Sequence, residues 1–293
     1  MTDFLQTVKE RVVVYDGAMG TNIQFRNPGV DDFWGKDGCN ELLVLSRPDI
    51  IKDIHASFFK VGCDVVETNT STRVVLAEYE LQDKTAELNI AAARLAKEVA
   101  QQFSTPGRPR FVAGSMGPTT KLPSLGHITF DNMAAAYEEQ AAALIDGGVD
   151  VLLVETSQDL LQAKAALVGV FDAMQKAGKR LPVTVQVTLE ATGTMLLGTE
   201  IGAALTALEP FDVDVIGLNC ATGPVEMNDA VVSWGRTRAN RCQCCRMPDS
   251  RRTTAGALYT NSRLRNWRPI TNILCRITEF ELSADVAGPL PSI

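Results

Sequence analysis

Long hydrophobic runs are missing from this 293-residue chain: nowhere do about 18 apolar residues follow one another, the length that a membrane-spanning helix needs. The opening MTDFLQTVKERVVVYDG has no apolar stretch leading to a small-residue cleavage site, so it does not read as a secretory leader. Histidine is almost absent, limited to His55 and His127, and aromatic residues make up only 6%. Neither G-x-G-x-x-G nor G-K-[ST] occurs, which removes the usual phosphate-cradling loops and argues against a nucleotide cofactor. The seven cysteines are odd in number and follow no paired spacing, a usage that fits a reducing compartment better than a disulfide scaffold. A formal net charge of −7 argues against nucleic acid as a partner. The expectation is a soluble cytoplasmic protein with no membrane partner.

What is present is an α/β pattern. With 45% hydrophobic and 22% charged residues, the chain can bury a sizeable core. Three segments share one grammar: GCDVVETNT (62–70), GVDVLLVETSQ (148–158) and DVDVIGLNCATGP (212–224). In each, an Asp precedes an apolar β-branched run, and polar groups follow where the run stops. Periodicity predicts strands over Val12–Tyr15, Val65–Glu67, Phe111–Ser115, Val151–Glu155 and Pro182–Leu189, and a sixth ending at Cys220. Helices are expected over Pro48–Val61, Ala86–Phe103, Asn132–Asp146, Asp159–Ala177 and Ile201–Leu208. The long polar stretch FRNPGVDDFWGKDGCNE (25–41) reads as a candidate lid or binding loop.

Helices between successive strands require a parallel sheet, either open and doubly wound or closed as a (β/α)8 barrel. Polar residues at the carboxyl end of strand after strand, namely Asp16, Asn69, Ser115, Glu155, Glu190 and Cys220, favour the TIM barrel, in which all strand tips share one mouth. Strands 7 and 8 are not recognisable. The expected barrel is therefore incomplete, with the edges of strands 1 and 6 exposed.

The chain changes character near Ala230. Residues 1–231 carry 18 basic and 31 acidic side chains, a net of −13, whereas residues 232–293 carry 10 and 4, a net of +6. All ten lysines lie in the first part and four of the seven cysteines in the second. The stretch VSWGRTRANRCQCCRMPDSRRTTAG follows neither a helical nor an alternating period. This divides the chain into barrel units 1 to 6 over residues 1–231 and an atypical Arg/Cys-rich tail over 232–293, with disorder as one expectation. A break in mid-helix reads as translation in a wrong frame; the rival is a natural, unrelated extension.

Cys220, beside Asn219 and the ATGP turn, is open to two readings. It is a small apolar filler, or it faces a barrel mouth as a thiolate nucleophile or metal ligand. One thiolate cannot hold zinc, since a catalytic site commonly takes three protein ligands and keeps one position open. The obvious additional thiols, Cys242, Cys244 and Cys245, form C-x-C-C rather than a C-x2-C pair, with no His nearby. Asp16 and Glu155 read either as caps and strand-end acceptors or as captors of a cationic group such as an α-ammonium. His55 falls inside a helix and reads as structural; His127 lies in a Gly/Pro-rich loop, against a ligand or in solvent.

DGAMGTNIQ, DVVETNT, VLAEYEL with ELNIAAA, VAGSMGPTTKLPSLG, LLVETSQDLLQAKAA, TLEATGTMLLGT and GLNCATGP follow one another in this order. From about Val12 to Ala230 the chain closely resembles the homocysteine-binding domain of cobalamin-dependent methionine synthase. The resemblance implies a (β/α)8 barrel with zinc at its mouth, held by three cysteines of which Cys220 is the first. The other two belong to a Gly-Gly-Cys-Cys-Gly motif that this sequence lacks, as it lacks the Pro-Asn-Ala-Gly segment of strand 7. After Asn69 and Thr70 the chain also omits the family's Phe-Gly, which should disturb the loop after strand 2.

The same resemblance implies a mechanism. Homocysteine is bound as a zinc thiolate, which the ion stabilises at neutral pH. That sulfur attacks the methyl group of methylcobalamin, carried by a separate module, to give methionine; a methyltetrahydrofolate-binding module also lies outside this chain. Asp16 and Glu155 are implied to hold the amino-acid end, with the backbone of Ala18, Met19 and Gly20 nearby and Asn219 in support. With two ligands missing, loss of activity is expected. Two alternatives stay open: a stand-alone homocysteine methyltransferase using betaine or S-methylmethionine, and a non-catalytic fragment or small-molecule-binding barrel.

Overall fold

The structure, a computed structural model, describes residues 4–221, position 227 and two short strands, Tyr259–Thr260 and Cys275–Arg276. Six parallel strands form its centre: β1 Val14–Tyr15, β2 Val65–Glu67, β3 Phe111–Met116, β4 Val151–Ser157, β5 Val183–Val187 and β6 Val215–Leu218. Each pairs with the next in sequence order, and the sheet curls into a half-barrel. The helices are α1 Phe4–Glu10, α2 Met19–Phe25, α3 Leu43–Ser46, α4 Pro48–Val61, α5 Arg73–Leu76, α6 Thr85–Phe103, α7 Phe130–Gly147, α8 Leu160–Ala177 and α9 Ile201–Leu208.

Alternation along the strands sorts the core into two layers, because successive strand side chains point to opposite faces. Val66, Val112, Leu152, Val154, Val183, Val185 and Ile216 pack outward against the helices. Val13, Tyr15, Val65, Phe111, Ala113, Val151, Leu153 and Val215 point inward. Phe4 and Val8 of α1 join this inner layer, and the Phe4 ring meets Phe111 edge-on, with centroids 5.7 Å apart. As Phe111 opens β3, α1 stoppers the amino-terminal foot of the sheet.

The repeated Asp of the sequence grammar has a structural cause. Asp64 N–H donates to Val14 O at 2.7 Å and its carboxylate accepts from Val14 N–H at 3.0 Å. Asp150 does the same with Val112, at 2.9 and 2.8 Å, and Asp214 with Val183, at 2.9 and 2.8 Å. Each carboxylate is also paired with a cation: Asp64 with Arg11 at 2.6 Å, Asp150 with Lys97 at 2.7 Å and Asp214 with Arg180 at 2.8 Å. An Asp just before a strand therefore clasps the neighbouring strand through both backbone and side chain, fixing register at the foot and leaving the strand tips for other work.

Two expectations need correction. The edges of β1 and β6 are not bare: β8 (Cys275–Arg276) pairs in parallel with β1, and β7 (Tyr259–Thr260) pairs with β6. β7 runs antiparallel, however, so it is not the seventh strand of a regular barrel. Secondly, residues 25–41 are not a free lid. Short 3-10 turns at Val30–Phe33 and Asn40–Leu42 fold the segment down, burying Phe33, Cys39 and Leu42 in the small clusters around α3 and α4 and beneath Leu76 and Leu88. The other tail readings, including Cys242, Cys244 and Cys245, lie outside the described residues. No helix of the described residues is long and apolar enough to cross a membrane.

Candidate functional site

The carboxyl-terminal tips of β4 and β6 meet in one polar corner. Pairing between β4 and β5 slips between Val154 and Ser157, and Thr156 inside that irregularity has φ of 54°. A positive φ is strained for a β-branched residue. Glu155, of the same inward parity as Leu153, is thus delivered to the mouth, where it is 6% exposed. At the end of β6, Cys220 and Ala221 also take positive φ, 60° and 58°, so the backbone reverses sharply around the thiol. Three strained non-glycine residues thus lie at this corner.

Asn219 ties the corner together. Its Nδ2 donates to Glu155 Oε2 at 2.9 Å and to Thr156 Oγ1 at 2.9 Å, and lies 3.6 Å from Cys220 Sγ. Its Oδ1 accepts from Thr156 N–H at 2.9 Å, and its own carbonyl accepts from Thr188 Oγ1 at 2.9 Å. Thr156 Oγ1 is 3.5 Å from the sulfur. The other carboxylate oxygen of Glu155 accepts from Ser115 Oγ at 2.6 Å. A buried carboxylate and a half-buried thiol therefore share one carboxamide, fixed from β3, β4, β5 and β6 together.

Asp16 follows β1 and is 1% exposed; its Oδ2 accepts from Glu67 N–H at 3.1 Å, which ties the first tip to the second. Ala18, Met19 and Gly20 stand where α2 begins, with Ala18 O accepting from the side chain of Asn22 at 2.9 Å. The loop after β2 is ordered by its own polar side chains. Thr68 Oγ1 accepts from Ser115 N–H at 3.0 Å, Thr70 Oγ1 donates to Ser115 O at 2.7 Å, and Asn69 Nδ2 donates to Asn40 O at 2.8 Å.

Of the residues singled out in sequence, Glu155, Asn219 and Cys220 are in direct contact. Thr156 and Thr188 were missed; the only sequence signal was a hydroxyl just after each β-branched run, a pattern too common to select them. Cys39 and Cys63 belong elsewhere. Both are fully buried, and burial first, with nearby carboxylates adding, pushes each thiol up to about 12, which makes them inert. His55 is buried in α4, whereas exposed His127 accepts through Nδ1 from Leu122 N–H at 3.3 Å.

As a metal site, the corner is incomplete. Among the described residues no group of three or more His, Cys, Asp or Glu side chains is placed to hold an ion, and Cys220 is the single thiol there. The described residues do not by themselves fit a zinc ion, whose sites need at least three protein ligands.

The chain is 52% identical over 230 residues to methionine synthase of Mycobacterium leprae and 51% identical over 230 residues to that of Mycobacterium tuberculosis. Those alignments take in 78% of this chain but 19% of each relative, so the chain spans about a fifth of the length of these curated relatives. In fold it is similar to the homocysteine methyltransferase MmuM from Escherichia coli. The metallated form superposes with a TM-score of 0.63 at 19% identity, covering 78% of this chain and 80% of that one; the oxidised form gives 0.62 at 18%, covering 77% and 79%. A sequence model described as homocysteine S-methyltransferase matches residues 13–272, and on that match, together with the identity to methionine synthases, this chain belongs to the homocysteine S-methyltransferase family.

Proposed function

We propose that this chain is the homocysteine-binding barrel of a methionine synthase, divided into the barrel units of residues 1–231 and a tail of different character over 232–293. In this reading Asp16 and Glu155 take the amino-acid end of homocysteine, the start of α2 at Ala18, Met19 and Gly20 lies beside it, and Asn219 aligns Glu155 with Cys220. The observation that carries the reading is the single Asn219 carboxamide touching both the Glu155 carboxylate, at 2.9 Å, and the Cys220 sulfur, at 3.6 Å. A cation captor and a sulfur-chemistry residue are held in fixed relation, as an amino acid bearing a thiol requires.

Cys220 would supply one thiolate of a zinc site, with the remaining ligands not provided by the described residues; the methyl donor would be methylcobalamin on a separate module, beside a methyltetrahydrofolate-binding module. The chain as it stands would then bind zinc weakly and have lost activity. Elemental analysis of the purified full chain is expected to find zinc well below one ion per chain. Tight stoichiometric zinc, or turnover of homocysteine with methylcobalamin, would overturn the proposed loss. Calorimetric titration with L-homocysteine tests the binding role itself, and Glu155→Gln is expected to weaken that binding about tenfold, the scale of a charged hydrogen bond.

A further inference from the structure

Ser115 is a polar strand tip with no task in the function proposed above. It shares the inward parity of Phe111 and Ala113 on β3 and stands in register with Leu153, two residues before Glu155 on β4. Its Oγ donates to Glu155 Oε1 at 2.6 Å, the length of a hydroxyl bond to a charged acceptor. The peptide that carries this hydroxyl is fixed from three other elements. The backbone ladder from β2 to β3 reaches as far as Thr68 N–H on Ala113 O, at 3.0 Å, and side chains then continue it. Thr68 Oγ1 accepts from Ser115 N–H at 3.0 Å, and Thr70 Oγ1 donates to Ser115 O at 2.7 Å. Gln140 of α7, fully buried, donates to the same carbonyl at 3.1 Å and to Asn89 Oδ1 of α6 at 3.2 Å. With its peptide held in this way, Ser115 keeps only its side-chain torsions to settle, and the bond to Glu155 settles them.

We propose that Ser115 is a positioning residue for amino-acid capture: together with Asn219 it sets the plane of the Glu155 carboxylate, so that this group meets the α-ammonium of the ligand in one orientation. This deepens the proposed function and rests on its assignment of Glu155. The last torsion of a glutamate is broad and roughly twofold, so a carboxylate held at one oxygen still turns. Here Ser115 takes Oε1 from β3 and Asn219 takes Oε2 from the end of β6, at 2.6 and 2.9 Å. Neither donor carries a charge, so the pair orients the carboxylate without neutralising it. Orientation fixed before binding is orientation that the ligand need not impose, and affinity rises accordingly. The effect is selective. Ser115 acts on the group that meets the amine, whereas the sulfur end of the ligand lies with Cys220, so a thiol without an amine is indifferent to the hydroxyl.

The test is calorimetric titration of the full chain, Ser115→Ala and Ser115→Thr with L-homocysteine and with 4-mercaptobutyrate, which lacks the amine. Wild type is expected to prefer the amino acid. Ser115→Ala should reduce that preference about tenfold, with 4-mercaptobutyrate binding unchanged, and Ser115→Thr, which restores a hydroxyl at the same place, should recover it. Should the alanine variant not fold, Thr70→Val decides instead: it leaves Ser115 and Glu155 in place but removes one donor from the Ser115 carbonyl, and is expected to lose part of the preference. If wild type prefers the amino acid and the deciding variant keeps the full preference or weakens both ligands alike, or if Ser115→Thr stays as weak as Ser115→Ala, the proposal falls while the parent reading stands. If wild type binds neither ligand or shows no preference, the assignment of Glu155 fails and this proposal with it.

Discussion

His55 illustrates how a single side chain can set a limit on the whole fold. It is fully buried in α4, both ring nitrogens lack a partner among the described residues, and burial alone lowers its pKa from 6.5 to about 4. The folded state therefore resists protonation that the unfolded chain accepts. Between these two values the unfolded state binds more protons, so stability rises with pH across this window and is fully present above the ordinary value. Denaturant titrations from pH 7 to pH 4 should show His55→Leu losing less stability than wild type, with the difference reaching about 3 kcal/mol at the acid end. Parallel curves for the two proteins would show that the ring is hydrated or paired. The residues of this polar corner were only partly legible in sequence. Asp16, Glu155 and Cys220 stood out as polar residues at the ends of expected strands, each open to a structural as well as a functional reading, but Thr156 needed the backbone, since a left-handed φ at a threonine has no sequence signature.

At the scale of elements, helices were read to within a few residues because their apolar faces recur at the helical period; Pro48–Val61 and Ile201–Leu208 coincide with α4 and α9. The short α1, α2, α3 and α5 escaped because seven or fewer residues give too little periodicity to register. The recurrent Asp was noticed as punctuation but not understood, since a clasp between neighbouring strands depends on partners roughly 30 to 50 residues away, such as Val112 for Asp150. That clasp predicts a local cost. Asp150 accepts from Val112 N–H and from Lys97 at 2.7 and 2.8 Å, so Asp150→Ala should lower unfolding free energy by about 2 kcal/mol, the range for hydrogen bonds to a charged group. Asp150→Asn, which keeps an acceptor but no charge, should fall between the two. Denaturant midpoints for the three proteins check this, and an unchanged midpoint in the alanine variant would show that register is set elsewhere.

For the molecule as a whole, the barrel class was legible from six strand–helix units, whereas the pairing of the tail was not. β7 and β8 are two residues each, too short for any pattern, and β7 joins in the opposite direction to its neighbour. These two pieces are what cover β6 and β1, so a chain ended at residue 231 should present two unpaired edges and self-associate. Size-exclusion chromatography with light scattering is expected to show oligomers for that truncation under conditions where the full chain is smaller; a monodisperse monomer would mean the edges need no cover. A reading-frame origin for the tail is checked at the gene, where the neighbouring frame after codon 230 should encode a Gly-Gly-Cys-Cys-Gly ending.

Phe4 and Val8, lodged among the inward residues of the sheet, fill the amino-terminal foot of the described half-barrel. A helix laid down before the first strand thus serves as its plug, and among the described residues the polar groups gather at the opposite end, at Glu155, Asn219 and Cys220.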